Sequence, residues 1–384
     1  MRREDFGPSA PGRLVISMGN LLTFVPTPLP PPLEFPIPFV NLLSDADRGL
    51  GELAGVGRML PNPHLFIQPF LRREAVLSSR IEGTIASLQD LFVFEETNAP
   101  ARETGDVREV YNYVSALEYA LQRLSTLPVS LRLIREVHAI LMRDVRGGDE
   151  HAGEFRRMQN FIGRRGYGID AAIYVPPPVA ELNEALYAFE RFITSAQELP
   201  ILIQLALIHY QFEAIHPFVD GNGRIGRLLI PLLLCERGVL PQALLYLSDY
   251  LERNRAEYFR RLLDVSLQGA WLEWIEFFLR GVVHQSRSTI DRSNALLRLW
   301  QHYRQVLQSE AVTARSFQLL DALFERPTIT IARAAELLGV TRRAAQLIVE
   351  RFERLGLLEE VTGQQRNRVY LARPIYDVLN APTS

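Results

Sequence analysis

The stretch ILIQLALIHYQFEAIHPFVDGNGRIGRLLIPLLLCERG, residues 201–238, places a short polar loop between two strongly apolar segments. The first segment is apolar nearly all round, which predicts a central, buried helix over residues 201–215. Pro217 prevents that helix from continuing. The pattern then predicts a second helix that begins near Gly223 and is stopped by Gly238. The polar loop is therefore trapped between two helices of a mainly helical fold.

The trapped loop, from His216 to Arg227, contains groups that suit an anion site. Gly221 and Gly223 let the backbone fold closely and point N–H groups outward at a helix N-terminus, where the helix dipole also favours negative charge. Arg224 and Arg227 lie three residues apart, so they share a helix face and can bind further phosphate oxygens. The loop is thus predicted to bind phosphate groups.

An acid and a base complete the loop. Asp220 would be repelled from an anion site unless a divalent cation lay between it and the phosphates, and Mg²⁺ is the natural candidate. His216 titrates near neutrality and can accept a proton. A lone histidine or a lone GNG turn is most often structural, but their combination with two arginines within twelve residues favours phosphoryl-type transfer from a nucleotide.

The run HPFVDGNGRIGR, residues 216–227, matches the Fic motif H-P-F-x-D-G-N-G-R-x-x-R at all nine specified positions. The chain resembles the Fic family from about residue 33 to residue 283. This resemblance implies a Fic-type helical bundle that transfers AMP from ATP to a Ser, Thr or Tyr hydroxyl of a target protein. It also implies that His216 deprotonates the hydroxyl, which attacks the α-phosphate of ATP as pyrophosphate leaves, and that Asp220 holds Mg²⁺ at the α- and β-phosphates.

The resemblance also implies an ATP site. Arg224 would contact the β-phosphate and Arg227 the γ-phosphate, while loop backbone groups and the Asn222 side chain would bind phosphate oxygens. Tyr250 and Asn254 share one helical face downstream, and Asn254 is the predicted contact to the base. The complete predicted set is Gln211, Pro217, Phe218, Val219, Gly221, Asn222, Gly223, Arg224, Arg227, Tyr250 and Asn254. Related Doc proteins, which phosphorylate instead, carry a lysine in this loop, and this chain has none.

Residues 160–178 break the helical pattern. Gly-rich turn signals between short apolar runs, followed by three prolines, predict a β-hairpin with an open edge. By resemblance, the hairpin over residues 160–176 is the family's flap, on which the target protein docks as an added strand.

A second match to the family lies upstream. Residues 78–83, SSRIEG, fit the inhibitory pattern [ST]-x-x-x-E-[GN], with Ser78, Glu82 and Gly83 at its specified positions. The pattern alone is loose, and an exposed helical glutamate is its ordinary explanation. By resemblance, Glu82 pairs with Arg227 in the place of the γ-phosphate, so the enzyme restrains itself.

The end of the chain, residues 311–384, resembles a winged helix-turn-helix domain. Its predicted helices and strands lie at residues 316–324, 331–338, 341–355, 357–361 and 369–372. Arg342, Arg343, Arg366 and Arg368 could meet DNA phosphates, but neighbouring glutamates oppose that field. A DNA partner and a protein partner stay equal options, and the oligomeric state stays open, a homodimer included.

Composition limits the remaining function classes. All 42 basic residues are arginine, which excludes a P-loop lysine and Schiff-base chemistry. The single cysteine, Cys235, fits a reducing compartment, and no apolar run reaches the ~20 residues that span a bilayer. We therefore expect a cytoplasmic protein without a membrane partner.

The predicted organisation has five parts: a disordered extension at 1–25, a proline-rich strap and helices with the inhibitory motif at 26–105, a catalytic core at 106–285, a linker helix at 286–310 and the winged-helix domain at 311–384. Three alternatives remain open: a different phosphate-linked donor such as phosphocholine, removal of AMP instead of its addition, and a DNA-binding regulator whose Fic domain senses nucleotide.

Overall fold

The computed structural model describes residues 1–17, 20–59, 63–97, 105–145, 151–163, 168–195, 198–310, 313–364 and 366–381. The described chain is mainly helical, as the sequence predicts. Its helices are α1 (Ile37–Met59), α2 (Pro63–Ile81), α3 (Leu88–Thr97), α4 (Gly105–Arg123), α5 (Leu131–Leu141), α6 (Val179–Thr194), α7 (Ile201–Ile215), α8 (Asn222–Glu236), α9 (Ser248–Arg253), α10 (Arg255–Gln268), α11 (Trp271–Ser309), α12 (Ala314–Glu325), α13 (Ile331–Leu338), α14 (Arg342–Arg354) and α15 (Arg373–Asn380). Within the ranges listed above, none of these helices is both long and apolar enough to cross a membrane.

Short strands accompany the helices. They are β1 (Gly12–Ser17), β2 (Leu21–Pro26), β3 (Thr328–Thr330), β4 (Glu359–Glu360) and β5 (Val369–Leu371). β1 and β2 form an antiparallel pair, and β3, β5 and β4 form an antiparallel sheet in that order.

Helices α7 and α8 form the centre of the fold. Every side chain of α7 is buried except those of Ile201 and Glu213, which are partly buried. This confirms the predicted central helix. Helix α8 packs against α7 and ends before Gly238, whose φ of +66° is the left-handed conformation that terminates helices. The two helices fix both ends of the polar loop between them.

The predicted disordered extension over residues 1–25 is wrong. β1 and β2 pair from Gly12 opposite Pro26 to Ser17 opposite Leu21. Phe24 is fully buried, and its ring stacks on Phe6 at 5.3 Å. The segment is ordered because it buries apolar side chains in the common core, which offsets the entropy lost on ordering.

The proline-rich strap that follows β2 lies against the fold, as predicted. Leu29, Leu33 and Phe35 pack against the hydrophobic core. The strap leads directly into α1.

The predicted linker helix over residues 286–310 is helical through Ser309, but it is the second half of the longer helix α11. The helix runs unbroken across that boundary, and Leu296 and Leu307 in its second half are fully buried. It packs along α1 and against α12. α11 contains no proline, and its one glycine, Gly281, packs against the Tyr250 ring without ending the helix, so the helix continues as one rod across residue 285.

The part of the chain beyond α11 contains the predicted helices and strands. The hydroxyl of Thr341 accepts a hydrogen bond from the N–H of Ala344 and so caps the start of α14. The sequence analysis missed β3 and α15. Helices α12 and α15 pack on α2, and β3 packs on α3. The assignment of this region to the winged helix-turn-helix class stays a prediction.

Candidate active site

His216 lies where α7 ends and the polar loop begins. Its φ of 49° and ψ of 61° place it in the left-handed region, which non-glycine residues seldom adopt and which is concentrated at functional sites. Its Nδ1 lies 3.2 Å from the backbone oxygen of Glu213. Because a carbonyl oxygen can only accept, Nδ1 carries the proton and Nε2 has the free lone pair. Burial lowers the pKa of His216 to about 4, so the ring is neutral at physiological pH.

The start of α8 faces the same loop. Gly221 has φ +79°, and no side chain caps the helix. The first N–H groups of an α-helix have no partner within the helix, so those of Asn222, Gly223 and Arg224 are available to an anion. A proton-accepting ring nitrogen and an uncapped helix start thus lie within one loop.

The Asn222 side chain holds the loop together. Its Oδ1 accepts from the N–H of Phe218 at 2.8 Å, and its Nδ2 donates to the oxygen of the same residue at 2.8 Å. Both ends of the amide therefore contact the loop backbone and shape the loop, and its contact with phosphate stays a prediction.

Arg156 and Asn160 hold the loop from the flap side. Arg156 Nε donates to the His216 oxygen at 3.0 Å, and its backbone N–H donates to the Pro217 oxygen at 2.9 Å. Asn160 Nδ2 donates to the oxygens of His216 and Phe218 at 3.2 and 2.8 Å. The sequence analysis missed both residues because no motif or periodicity marks them.

His138 on α5 supports the loop from below. Its ring stacks on Phe218 at 3.7 Å with an interplanar angle of 4°. Its Nε2 lies 3.0 Å from the oxygen of Asp220, so that nitrogen donates, and its Nδ1 accepts from the N–H of Gly153 at 2.9 Å. Burial lowers its pKa to about 4. No motif or spacing in the sequence marks His138.

The predicted contact between Glu82 and Arg227 is present. Arg227 is 2% exposed, and its Nη2 donates to Glu82 Oε1 at 2.6 Å. Ser78 on α2 accepts at its Oγ from Nε at 2.8 Å and at its backbone oxygen from Nη2 at 2.9 Å. Gly83 has φ +101°, which lets the chain turn immediately after Glu82. All three specified positions of the inhibitory pattern therefore shape this contact.

Arg224 and Asp220 lie on the other side of the loop. The Arg224 side chain is 4% exposed, and its Nη2 lies 3.5 Å from Asp220 Oδ1. Its Nη1 lies 3.5 Å from Oε2 of Glu109, a residue of α4 that no sequence pattern had indicated. Nε and Nη1 of Arg224 are buried without a hydrogen-bond partner in the described structure. Such a guanidinium favours an incoming anion, because a phosphate would supply the missing acceptors.

The Asp220 carboxylate is the residue available for Mg²⁺. Its side chain is 59% exposed, so it can reach a cation at the mouth of the loop. Among the described residues, no group of three or more His, Cys, Asp or Glu could hold a metal on its own. One carboxylate together with nucleotide phosphates is a usual ligand set for Mg²⁺, so the residues fit the ion as part of a nucleotide complex.

Glu213 on α7 is a partly buried acid that no sequence pattern marks. A Cβ added to Gly226 would lie 2.5 Å from Glu213 Oε1, so the carboxyl group packs directly on α8. That oxygen has no hydrogen-bond partner in the described structure. Burial raises the pKa of Glu213 to about 8, which keeps the group protonated at neutral pH.

Three predicted nucleotide-binding residues make contacts within the protein. Gln211 Nε2 donates to the oxygen of Thr27 in the strap at 3.1 Å. The Tyr250 ring packs against Phe277 of α11 at 5.1 Å, and Asn254 Nδ2 donates to the Tyr250 oxygen at 2.8 Å. Their side chains are thus engaged in structural contacts. Nucleotide binding stays a prediction for Gln211, Tyr250 and Asn254, with Asn254 as the predicted contact to the base.

The remaining loop residues divide by exposure. Within the loop, Pro217 and Phe218 are buried, whereas the Val219 side chain is 42% exposed. The first two shape the loop, and Val219 lies where a ligand could approach.

The flap is present as a minimal hairpin. Ile162 and Tyr174 form an antiparallel bridge, in which the Ile162 N–H donates to the Tyr174 oxygen at 2.8 Å. The Tyr174 hydroxyl donates to the oxygen of Ala214 on α7 at 2.9 Å. The predicted turn residues 164–167 lie outside the described residues. The base of the flap is therefore anchored two residues before His216.

Known families and proteins match the parts of the chain that form this site. Residues 40–122 match the family described as Fic/DOC family N-terminal, and residues 128–234 match the Fic/DOC family. A "Protein adenylyltransferase Fic" of Drosophila grimshawi is 28% identical over 218 residues, which are 55% of this chain and 40% of the relative. The chain therefore spans less than half the length of that curated relative.

Solved structures share the fold. A Fic family protein from Desulfovibrio desulfuricans G20 aligns with 90% of this chain and 98% of its own, at 20% identity and a TM-score of 0.56. A segment of Fic-1 from C. elegans aligns with 68% of this chain and 75% of its own, at 20% identity and a TM-score of 0.51. Residues 40–122 and 128–234, which carry the contact between Glu82 and Arg227 and the polar loop, are therefore a Fic/DOC N-terminal region and a Fic/DOC domain.

Proposed function

We propose that the protein is an adenylyltransferase that transfers AMP from ATP to a Ser, Thr or Tyr hydroxyl of a target protein. The observation that carries this proposal is the His216 ring. Its Nε2 lone pair is free, because Nδ1–H donates to the Glu213 oxygen, and it belongs to the same loop as the uncapped start of α8. A base beside an anion site is the arrangement that nucleotidyl transfer requires. The relative named as an adenylyltransferase supports ATP as the donor.

The chemical step follows from these groups. Nε2 of His216 accepts the hydroxyl proton as the hydroxyl oxygen bonds to the α-phosphorus. The bond between the α-phosphorus and the oxygen that bridges to the β-phosphate breaks, and pyrophosphate leaves. N–H groups at the start of α8 stabilise the negative charge on the phosphate oxygens, and Arg224 and Arg227 bind the departing pyrophosphate. Asp220 would hold Mg²⁺, which neutralises charge on the phosphates when the nucleotide is bound.

We also propose that Glu82 restrains the enzyme. Its carboxylate lies 2.6 Å from Arg227 Nη2, the guanidinium assigned to the γ-phosphate. A Cβ on Gly223 would lie 2.3 Å from Glu82 Oε1, so the carboxylate also covers the start of α8. ATP must therefore displace a charge-assisted hydrogen bond before it can bind in line for transfer.

The flap supplies the docking place for the target. Phe24 of β2 donates its N–H to the Val175 oxygen at 2.9 Å, which covers one edge of the segment that ends at Val175. An extended target segment would add to the opposite edge, along residues 161–163, through main-chain hydrogen bonds.

The test compares labelling in a Glu82→Gly background. Full-length protein is incubated with ATP labelled in the α-phosphate, and modified peptides are identified by mass spectrometry. Glu82→Gly should label more strongly than the wild type, and addition of His216→Ala should abolish labelling. His302→Ala, at an exposed histidine of α11, is the matched control. Equal labelling with and without His216 would rule out the proposed base.

A second candidate function, DNA binding by residues 311–384, is favoured by one observation. Arg342 and Arg343 are exposed at the start of α14, and Arg366 and Arg368 are exposed between β4 and β5. A gel shift of the full chain on duplex DNA should weaken steeply with salt if these arginines contact phosphates. A partner protein bound there instead would leave DNA unshifted at every salt concentration.

A further inference from the structure

Glu109 connects the polar loop over residues 216–227, called the phosphate loop from here on, with the turn over residues 79–84 that carries Glu82, called the inhibitory turn. Its Oε2 lies 3.5 Å from Arg224 Nη1 and accepts a hydrogen bond from Thr84 Oγ1 at 3.3 Å. Thr84 follows Glu82 by two residues, and its side chain is buried. One carboxylate oxygen thus contacts both a phosphate-binding arginine and the turn that positions the inhibitory glutamate.

Glu82 and Thr84 belong to one hydrogen-bonded turn. The N–H groups of both residues donate to the oxygen of Ser79, at 3.0 and 3.2 Å. The next residue, Ile85, donates its N–H to Oδ2 of Asp106 at 2.9 Å. Since Asp106 and Glu109 are neighbours on α4, that helix holds the turn at two points.

The two arginines are held with different strength. Arg227 meets Glu82 at 2.6 Å in a direct hydrogen bond, whereas Arg224 meets Glu109 at 3.5 Å without one. Arg224 is nevertheless buried, and two of its nitrogens lack hydrogen-bond partners in the described structure. A phosphate would satisfy those nitrogens and, being negative, would repel the Glu109 carboxylate.

We propose that Glu109 is a positioning residue that couples occupation of Arg224 by a nucleotide phosphate to release of Glu82 from Arg227. The inference rests on the proposed function, because it assigns Arg224 to a nucleotide phosphate. A phosphate on Arg224 displaces Glu109, Thr84 loses its acceptor, and the turn that presents Glu82 loses one of its two attachments to α4. The inhibitory contact is then weaker when nucleotide is present than when it is absent.

The test measures binding of a non-hydrolysable ATP analogue by calorimetry, so it does not depend on transfer activity. Thr84→Val removes the hydroxyl at nearly constant volume, and Thr84→Ser retains it. In a protein that has Glu82, Thr84→Val should lower the Kd of the analogue by about fivefold, the net effect of one typical hydrogen bond. Thr84→Ser should bind as the wild type does. In the Glu82→Gly background, Thr84→Val should have no effect.

Glu109→Gln tests the other end of the coupling, and it serves if Thr84→Val does not fold. It removes the charge beside Arg224, so it should tighten analogue binding in both backgrounds, and more so when Glu82 is present. Glu336→Gln, which neutralises a remote glutamate paired with Arg333 on α13, is the control. Equal effects with and without Glu82, or none with it, would overturn the coupling. Tight analogue binding without any labelling by Glu82→Gly would instead count against the proposed transfer reaction.

Discussion

Replacement of His138 is the sharpest test of how the phosphate loop is held. This residue is 3% exposed and makes three contacts that bear on the loop: the stack on Phe218, the hydrogen bond to the Asp220 oxygen and the hydrogen bond from the Gly153 N–H. His138→Ala removes all three. His138→Phe retains a ring that can stack but makes neither hydrogen bond.

The expected loss follows from these contacts. An aromatic stack contributes about 0.5–1.5 kcal/mol, and a buried N–H left without an acceptor costs about 1–3 kcal/mol. Together with the cavity, His138→Ala should lower the free energy of unfolding by about 3–5 kcal/mol. With an unfolding entropy of about 2.1 cal/mol/K per residue, a chain of 384 residues should lose about 4–6 °C in Tm. His138→Phe should lose about half as much, because the ring fills the cavity.

Both variants should also lose transfer activity, since the Asp220 backbone no longer has its donor. Thermal unfolding and AMP labelling are measured in the Glu82→Gly background, with His302→Ala as the exposed control. The decisive variant is His138→Phe. If its Tm and its labelling both equal those of the parent, the two hydrogen bonds do not position the loop and the reasoning is refuted.

Three further predictions concern ionisable groups. Glu82→Gln retains the shape but not the charge of the Glu82 side chain, which is 38% exposed. The Kd of the ATP analogue, measured by calorimetry, should therefore fall about 5- to 30-fold. An unchanged Kd would contradict the inhibitory role. Burial raises the pKa of Glu213 from 4.5 to about 8, so between these pH values the native state holds a proton that the unfolded chain releases. Tm should therefore fall as the pH rises from 4.5 to about 8, and Glu213→Gln should remove this fall. Burial lowers the pKa of His216 to about 4, so the acid limb of kcat/KM for Glu82→Gly should lie near pH 4, and a limb near 6.5 would mean that the ring is solvated.

The phosphate loop could be predicted from sequence because its groups are consecutive. The apolar segments on either side of the loop predict α7 and α8, and the types and spacing of the loop residues predict a phosphate-binding site. The contact between Glu82 and Arg227 was predictable only through the resemblance, because 145 residues separate the two side chains.

The supporting residues could not be predicted in this way. His138, Arg156 and Glu109 lie on separate elements, and each acts on the loop through tertiary contacts that have no local signal. Asn222 could be predicted in part. Its position in the motif marks it as a loop residue, but its hydrogen bonds to Phe218 depend on how the loop closes. The N-terminal hairpin was missed because its strands are short and bury their side chains only against distant parts of the chain.

The contact between the C-terminal region and α2 bears on how the protein can be dissected. Helices α12 and α15 cover α2, the helix that carries Ser78, and Arg292 of α11 donates to the last carbonyls of α15, those of Val378 and Leu379, at 2.8 and 3.0 Å. A truncation after residue 310 would expose an apolar face of α2 and remove the three carbonyl acceptors that the buried Arg292 has beyond residue 310. Any gain of transfer activity in such a shortened protein would therefore reflect a weakened contact between Glu82 and Arg227. A ligand that binds the C-terminal region of the intact chain would act on the same helix, α2.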